Sequence, residues 1–272
     1  MKTIITPDKK FFKIDLKEIW NFRYMILFFA HRDLKAVYLQ TVLGPLWLII
    51  LPLVSSSLYS VIFGYIAKIP TDGDSVFLFF FCGTTLYSFF NINFSRNSNI
   101  FNSYANLMKL IFFPRVNIPI SVMLSNFVSL SVIAASFIII FFFTAEVTIT
   151  NKFFIIPFLI LYICIFATCL GMFFSCLSYK YKDLSNMVGI FGQIILYTTP
   201  ILYSANAIPK NFLFLSIINP VAYPIVYIRD ILFNTSTFNM EFLYINIIIG
   251  LIISIFSVFL YSYVSKNFQD VV

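Results

Sequence analysis

The chain has 272 residues, of which 60% are hydrophobic, 20% aromatic and only 11% charged. A soluble domain of this length needs more charged side chains to cover its surface, so the composition excludes an ordinary soluble fold and indicates a polytopic α-helical membrane protein. The net charge of +7 would suggest nucleic-acid binding in a soluble protein, but here it is first tested against membrane topology.

Residues that usually carry chemistry are scattered along the chain. The four cysteines lie in apolar runs without a CxxC pair and His31 is the only histidine, so neither a metal site nor a disulfide is predicted. The eleven acidic residues fall in loops or at the ends of apolar runs, whereas ion-coupled transporters usually need ionisable groups at mid-membrane. No phosphate-binding GxxxxGK(S/T) loop occurs, so the chain is predicted to hold no cofactor, and a partner has to supply any energy.

The first amphipathic element is predicted over residues 14–35. It interleaves apolar and polar side chains and ends in a charged group at residues 31–35. The stretch is too short and too charged to cross a bilayer, and its Trp20 and Tyr24 are typical of the membrane interface. It is interpreted as a helix lying in that interface, with a polar entry to the first span as the alternative.

Six apolar runs are long enough to cross a membrane, since a helical crossing needs about 20 residues. They are residues 42–67, 76–94, 118–144, 153–178, 184–203 and 242–264. Residues 204–240 are also apolar, but three prolines and the pair Arg229–Asp230 divide them into shorter pieces. These pieces are predicted to form two short re-entrant helices on the extracytoplasmic side.

A polar segment, residues 95–117, joins the second and third predicted spans. It holds several asparagines, three cations and no acidic residue. A helix is expected to restart after Phe113–Pro114, because the residue before a proline disfavours helical geometry. We refer to this stretch as the 95–117 segment.

The distribution of lysine and arginine predicts the orientation of the chain. Six spans place both termini on one side, and with that side inside, 14 of the 18 cations are cytoplasmic. The cations assigned to the outer side are Lys68, Lys152, Lys210 and Arg229. This asymmetry follows the positive-inside rule and accounts for the net charge without nucleic acid.

Five stretches occur in a characteristic order along nearly the whole chain. They are RDLKAVYLQTVLGPLWLIILPL (32–53), ANLMKLIFFPRVNIP (105–119), LSYKYKDLSNMV (177–188), TTPILYSANAIPK (198–210) and INPVAYPIVYIRDILF (218–233). Together they resemble the membrane subunit of type-2 ABC exporters, in the family that exports O-antigen, capsule or teichoic-acid chains. The resemblance implies a single permease domain over residues 1–272, with an interface helix, six spans, a cytoplasmic coupling helix and two extracytoplasmic gate helices.

In such proteins the counterpart of the 95–117 segment docks on the ATPase subunit. The resemblance therefore implies coupling roles for Asn102, Asn106, Lys109, Phe112, Phe113, Pro114 and Arg115. The alternative for the two cations is that they are ordinary positive-inside anchors.

The first and fifth spans line the translocation path between two protomers in that family. The residues that would line it here are Tyr38, Trp47, Ser55, Tyr59, Phe63, Gln193, Tyr197 and Tyr203. Aromatic faces suit the apolar faces of sugar rings, and hydroxyl groups suit their edges. The alternative is that these aromatics face lipid or neighbouring helices.

A lipid-linked substrate carries a pyrophosphate that would arrive at the cytoplasmic interface. Arg23, Arg32 and Lys35 lie in the part of the sequence assigned to that interface, beside Tyr38. They are predicted to contact the pyrophosphate, with ordinary anionic lipid as the alternative ligand.

The resemblance implies a transport subunit and not an enzyme. It predicts a homodimer in the bacterial inner (cytoplasmic) membrane with two copies of a separate ABC ATPase, which binds ATP and Mg. The expected substrate is a lipid-linked polysaccharide, with membrane lipids but no nucleic acid as further contacts. A permease of the same fold that exports a small lipid or drug is the alternative, and a membrane enzyme acting on lipid is the weakest one.

Overall fold

The computed structural model describes residues 16–36, 43–72, 75–110, 113–143, 151–181, 183–233 and 239–266. Within these ranges the chain forms helices and connecting turns, with no β-strand. The first two helices are α1 (Leu16–Asn21) and α2 (Arg23–Leu34), separated at Phe22. Residues 16–34 of the predicted interface helix are therefore helical, with one break.

The first long helix is α3 (Trp47–Tyr59), which continues as a wider π-helical stretch over Ser60–Ile66. Only 17% of the most apolar part of this stretch is buried within the protein, compared with 67% for α4 (Val76–Ser98). The helix α3 therefore lies at the edge of the bundle, and α4 lies at its centre.

Two short helices, α5 (Ile100–Ser103) and α6 (Ala105–Leu110), form the first part of the 95–117 segment. The next long helix is α7 (Asn117–Phe143), which begins three residues after Pro114, as expected for a proline that ends one helix before the next begins. A single turn at Asn151–Ile155 then leads into α8 (Ile156–Lys180).

The centre of the bundle is the contact between α4 and α8. A side chain at Gly171 would collide with Cβ of Asn97 and lie 2.8 Å from the carbonyl oxygen of Phe94. The absence of a side chain at this position allows the two backbones to approach, as small residues do between membrane helices.

Buried polar side chains join α7 to the same contact. Asn126 donates from Nδ2 to Oδ1 of Asn93 at 2.7 Å, and Arg96 donates to Oδ1 of Asn126. Both asparagines are fully buried. The oxygens of both asparagine side chains thus accept hydrogen bonds from the neighbouring helix, and Asn93 also donates to the Phe89 carbonyl of its own helix at 2.9 Å. Such pairing is what the apolar surroundings favour.

The predicted fifth span contains a shorter helix than expected. Helix α9 runs over Leu184–Thr198, and an extended connection follows. Its fifteen residues cover about 22 Å at 1.5 Å per residue, so the helix alone is shorter than the apolar layer of a bilayer. The helix runs beside α4, because Tyr87 Oη donates to the carbonyl of Gly192 at 2.7 Å.

The following stretch folds into a bent pair of helices, α10 (Leu213–Ile218) and α11 (Ala222–Phe233). With the turn at Lys210–Phe212 included, the two arms meet at 98°. We call this pair the hairpin. The last helix, α12 (Met240–Lys266), packs against α8 and both arms of the hairpin.

Contacts between distant segments define two ends of the bundle. At one end α2 lies against the 95–117 segment, and Phe101 stacks on Tyr261 near the end of α12, with ring centroids 5.3 Å apart. We call this the α2 end. At the other, the hairpin end, the loop between α3 and α4 meets the connection after α9, where the Ser204 amide donates to the Pro70 carbonyl at 3.2 Å.

Five helical stretches in the described parts of the chain are long and apolar enough to cross a membrane, or six if the hairpin counts as one. The all-α membrane fold is confirmed at this level. The roles of individual helices, including the six predicted crossings and the division of the domain, remain predictions.

The Gly171 contact provides a test of the packing. Gly171→Ala should lower the stability of the protein by about 1–3 kcal/mol, the usual cost of overpacking. Gly189 in α9 is a matched control, because a side chain there would meet nothing within 4 Å. Gly189→Ala should be neutral or stabilise by up to about 1 kcal/mol through helix propensity. Thermal unfolding in detergent measures both, and equal effects would contradict the close α4–α8 contact.

Candidate functional site

The α2 end is held together by aromatic packing. The ring of Phe29 in α2 is buried, with its centroid 6.0 Å from that of Tyr104 and 5.8 Å from that of Phe113. Met108 and Ile118 belong to the same buried cluster. Helix α2 and the 95–117 segment are therefore one packed unit.

Polar contacts also join α2 to the 95–117 segment. Tyr104 Oη donates a hydrogen bond to Oδ2 of Asp33, and Arg32 forms an ion pair with Oδ1 of Asp33 at 2.9 Å. The Arg32 guanidinium also lies over the Tyr104 ring, 4.6 Å from its centroid. Burial, followed by the hydrogen bond to the Asp33 carboxylate, raises the pKa of Tyr104, which stays a neutral donor.

The predicted coupling residues divide into two groups. Asn102 and Asn106 are exposed, whereas Phe113 is buried and Pro114 and Arg115 are half-buried. Burial lowers the pKa of Arg115, whose carbonyl accepts a hydrogen bond from Tyr261 Oη at 3.3 Å. The two asparagines are thus presented outward, while Phe113 and Arg115 belong to the junction with α7 and α12. The side chain of Lys109 and all of Phe112 lie outside the described residues.

The three cations predicted to contact a pyrophosphate are in different settings. Arg23 lies over the rings of Trp20 and Tyr24, with its guanidinium carbon 5.4 and 4.6 Å from their centroids. Lys35 is exposed. Arg32 is engaged by Asp33 and Tyr104, and these contacts outweigh its partial burial to raise its pKa. Arg23 and Lys35 are therefore better placed than Arg32 to meet an anionic headgroup.

Three of the residues predicted to line a path lie together at the hairpin end. Tyr59 and Phe63 have ring centroids 5.8 Å apart, and Tyr203 packs on the same apolar cluster. The hydroxyl of Tyr203 donates to the Tyr197 carbonyl at 2.8 Å.

The remaining path residues are spread along the surface of α3 and α9. Trp47, Gln193 and Tyr197 are exposed and Ser55 is half-buried. Tyr38 lies outside the described residues. The neighbouring serines Ser56 and Ser57 bond the carbonyl of Leu53 in their own helix. The exposed Trp47 and Tyr197 thus lie on the surfaces of two different helices, α3 and α9.

Sequence reasoning missed a buried ion pair at the hairpin end. Arg229 in α11 is 1% exposed, and it donates to Oδ2 of Asp72 at 3.3 Å and to the Pro200 carbonyl at 2.9 Å. From the sequence, Arg229 was predicted to be an outer cation and, with Asp230, an interruption of the apolar stretch, but not a buried partner of Asp72. Its position in a largely apolar helix was the available signal, because a charge in such surroundings needs a partner.

Two asparagines satisfy the backbone around the hairpin. Asn219, between the two arms, donates from Nδ2 to Oγ1 of Thr198 and Thr199 at 2.9 and 2.8 Å, and its Oδ1 accepts from the Val221 amide. Asn246 in α12 accepts from the Tyr223 amide at 3.0 Å and donates to the Ile217 carbonyl. The 98° bend is therefore a well-satisfied feature and not a loose turn.

Comparison with known proteins identifies the family. Residues 24–233 match the model of the ABC-2 type transporter family, which is well over half of the chain. The chain belongs to the ABC-2 type transporter family. Two curated relatives are both named O-antigen export system permease protein RfbA, from Klebsiella pneumoniae. The first is 28% identical over 265 residues and the second 27% over 264, each alignment covering 95% of this chain and all of the relative.

The family membership confirms the resemblance seen in the sequence. As an ABC-2 transporter, the chain is a transport subunit with several membrane-crossing helices. Subunits of this family generally pair with an ABC ATPase.

The Tyr104–Asp33 bond provides a test of the α2 end. Tyr104→Phe should lower the free energy of unfolding by about 1.5–3 kcal/mol, the usual range for a hydrogen bond to a charged group. Combined with Asp33→Ala, it should cost little more than Asp33→Ala alone, because both changes remove the same bond. Thermal unfolding in detergent measures the cycle.

The control for this cycle is Tyr24→Phe, because Tyr24 lies on α2, the helix that carries Asp33. Tyr24 is 70% exposed, so loss of its hydroxyl should change the free energy by less than about 0.5 kcal/mol. Additive effects of the Tyr104 and Asp33 changes would show that the two side chains do not act through a shared bond.

Proposed function

We propose that this chain is the permease of an ATP-driven exporter that moves a lipid-linked, O-antigen-like polysaccharide across the bacterial inner (cytoplasmic) membrane. The observation that carries the proposal is the full-length alignment with two proteins named as O-antigen export permeases. The similarity extends over 95% of this chain, so it includes α2, the 95–117 segment and the hairpin.

We assign the α2 end to the cytoplasm, with both termini on that side. The cation distribution supports this orientation, since 14 of 18 lysine and arginine residues fall in segments assigned to it. The packing of α2, the 95–117 segment and the end of α12 into one unit is consistent with it.

The 95–117 segment is the proposed docking site for the ATPase. Asn102 and Asn106 are exposed on α5 and α6, and the segment behind them is tied to α2 by Phe29 and Asp33 and to α8 by the Phe101 amide, which donates to Oγ of Ser175 at 3.3 Å. A force applied to this segment would therefore reach two helices directly. The proposed assembly is a permease homodimer with two ATPase copies, which bind ATP and Mg.

The proposed translocation path lies between two copies of the chain, along α3 and α9. The low burial of α3 and the exposure of Trp47, Gln193 and Tyr197 support it. These exposed surfaces could contact a second copy of the chain or a substrate. Arg23 and Lys35 are the proposed contacts for the substrate pyrophosphate at the cytoplasmic interface.

The proposed function can be tested in the native host by deleting the gene. Surface polysaccharide should be lost and its lipid-linked precursor should accumulate inside the cell, which immunoblotting and extraction of lipid-linked glycans measure. Wild-type protein and the Gly189→Ala variant should both restore export. Unchanged surface polysaccharide with accumulation of a small lipid would instead support a small-lipid exporter of the same fold.

The docking site can be tested with bulky substitutions. The pair Asn102→Trp and Asn106→Trp should reduce co-purification of the ATPase and its stimulation by the permease by at least about tenfold, because a poorly fitting contact loses on the order of 1.4 kcal/mol or more. Asn206→Trp is the matched control, since Asn206 is an exposed asparagine at the hairpin end. Equal ATPase binding by all variants would place docking elsewhere.

A further inference from the structure

Three segments of the chain meet at Arg229. The residue itself belongs to α11 of the hairpin, Asp72 belongs to the loop between α3 and α4, and Pro200 follows α9. The guanidinium of Arg229 bonds both partners, and its carbon lies 3.8 Å from the centroid of the Phe79 ring at the start of α4. We call this contact the Arg229 junction.

A second bridge links two of the same segments. Ser204 donates from Oγ to Oδ1 of Asp72, so that both carboxylate oxygens have donors. The amide of Ser204 donates to the Pro70 carbonyl at 3.2 Å, which adds a backbone link between the same loop and the connection after α9. The loop is thus fixed by side-chain and main-chain contacts together.

The burial of the pair makes separation of these segments costly. The side chains of Arg229 and Asp72 are 1% and 7% exposed. Pulling them apart without bringing in water would leave two unpaired charges among apolar side chains, which is strongly disfavoured. A path-opening motion that preserves the junction avoids this cost.

The junction also lies where the proposed path would open. The loop of Asp72 follows α3, and Pro200 and Ser204 follow α9, the two helices along which the path was placed. Ile201, between Pro200 and Ser204, packs so closely on α4 that a side chain at Gly83 would lie 2.9 Å from its Cγ2. The outer ends of α3, α4 and α9 are therefore fixed to the hairpin at one point.

We propose that Asp72 and Arg229 are positioning residues that join the α3–α4 loop, the end of α9 and the hairpin into one rigid unit, which moves as a whole when the outer end of the path opens. This inference rests on the proposed export function. It excludes a gate in which the hairpin swings away from the helices of its own chain. The surfaces that move apart when the path opens would then lie outside the junction.

A reversible cross-link tests whether the segments stay together. Cysteines replacing Pro70 and Ser204, whose backbones are hydrogen-bonded, are oxidised to a disulfide in assembled exporter and reduced again with dithiothreitol. The four native cysteines are free and buried, so the oxidant should leave them as thiols. After denaturation, the oxidised protein should therefore show four reactive thiols. The reduced protein should show those four and the two that were introduced. Export is measured in vesicles carrying the permease, its ATPase and the lipid-linked polysaccharide.

The rigid unit predicts that export by the oxidised protein stays within about twofold of that by the same protein after reduction, since each molecule is its own control. Export that stops on oxidation and returns on reduction would overturn the proposal. The single variants Pro70→Cys and Ser204→Cys control for the substitutions. Wild-type vesicles that export nothing would count against the proposed function and not against the rigid unit.

A substitution tests whether the ion pair itself is needed. Arg229→Gln should reduce export by roughly tenfold or more, because it leaves Asp72 buried without its cation, while ATPase binding at the α2 end stays at the wild-type level. In the same variant, oxidation of the Pro70→Cys and Ser204→Cys pair should recover at least about half of the lost export, since it restores one of the junction's links. Normal export by Arg229→Gln, or no recovery by the disulfide in protein that still binds the ATPase, would contradict a positioning role.

Discussion

Polar groups in an apolar interior have to find partners within the protein, and the described parts of this structure are arranged around that constraint. Asn93 and Asn126 pair between α4 and α7, Asn219 and Asn246 satisfy the backbone at the hairpin, and Arg229 is paired with Asp72. Because no solvent is available to replace these partners in a bilayer, each contact fixes the relative position of two elements. The helices are held by a few directional contacts in addition to packing.

The two ends of the bundle have different properties. At the α2 end, Phe29, Asp33 and Tyr104 join α2 to the 95–117 segment, whose Asn102 and Asn106 are exposed. At the hairpin end, the Arg229 junction buries almost all of the surface of its two charged side chains. The long helices α4 and α8 connect the ends through the contact at Gly171. The two ends are therefore joined by packed helices, along which the proposed displacement of the 95–117 segment would reach the hairpin end.

The broad class of the protein follows from composition and pattern. A low charged fraction, long apolar runs and asymmetric cations point to a membrane protein regardless of how the helices pack, because crossing a bilayer is a property of each segment. The five stretches of sequence likewise identified the transporter family, which residues 24–233 match. The restart of the helix after Phe113–Pro114 was predictable for a local reason, since proline restricts the residue before it.

Positions that depend on distant partners were not predictable. Asp33 and Tyr104 are 71 residues apart, and Asp72 and Arg229 are 157 apart, so neither pairing leaves a local pattern. The same reason explains why Asn102 and Arg115 differ in exposure although they are close in sequence. Asn102 remains on the surface, whereas Arg115 is half-buried and its carbonyl accepts a hydrogen bond from Tyr261 of α12. The sequence by itself thus determined the membrane class, the family and the predicted orientation, because these depend on local composition. Only the tertiary structure decided which polar residues are buried partners and which are exposed, because burial depends on what the other helices bring.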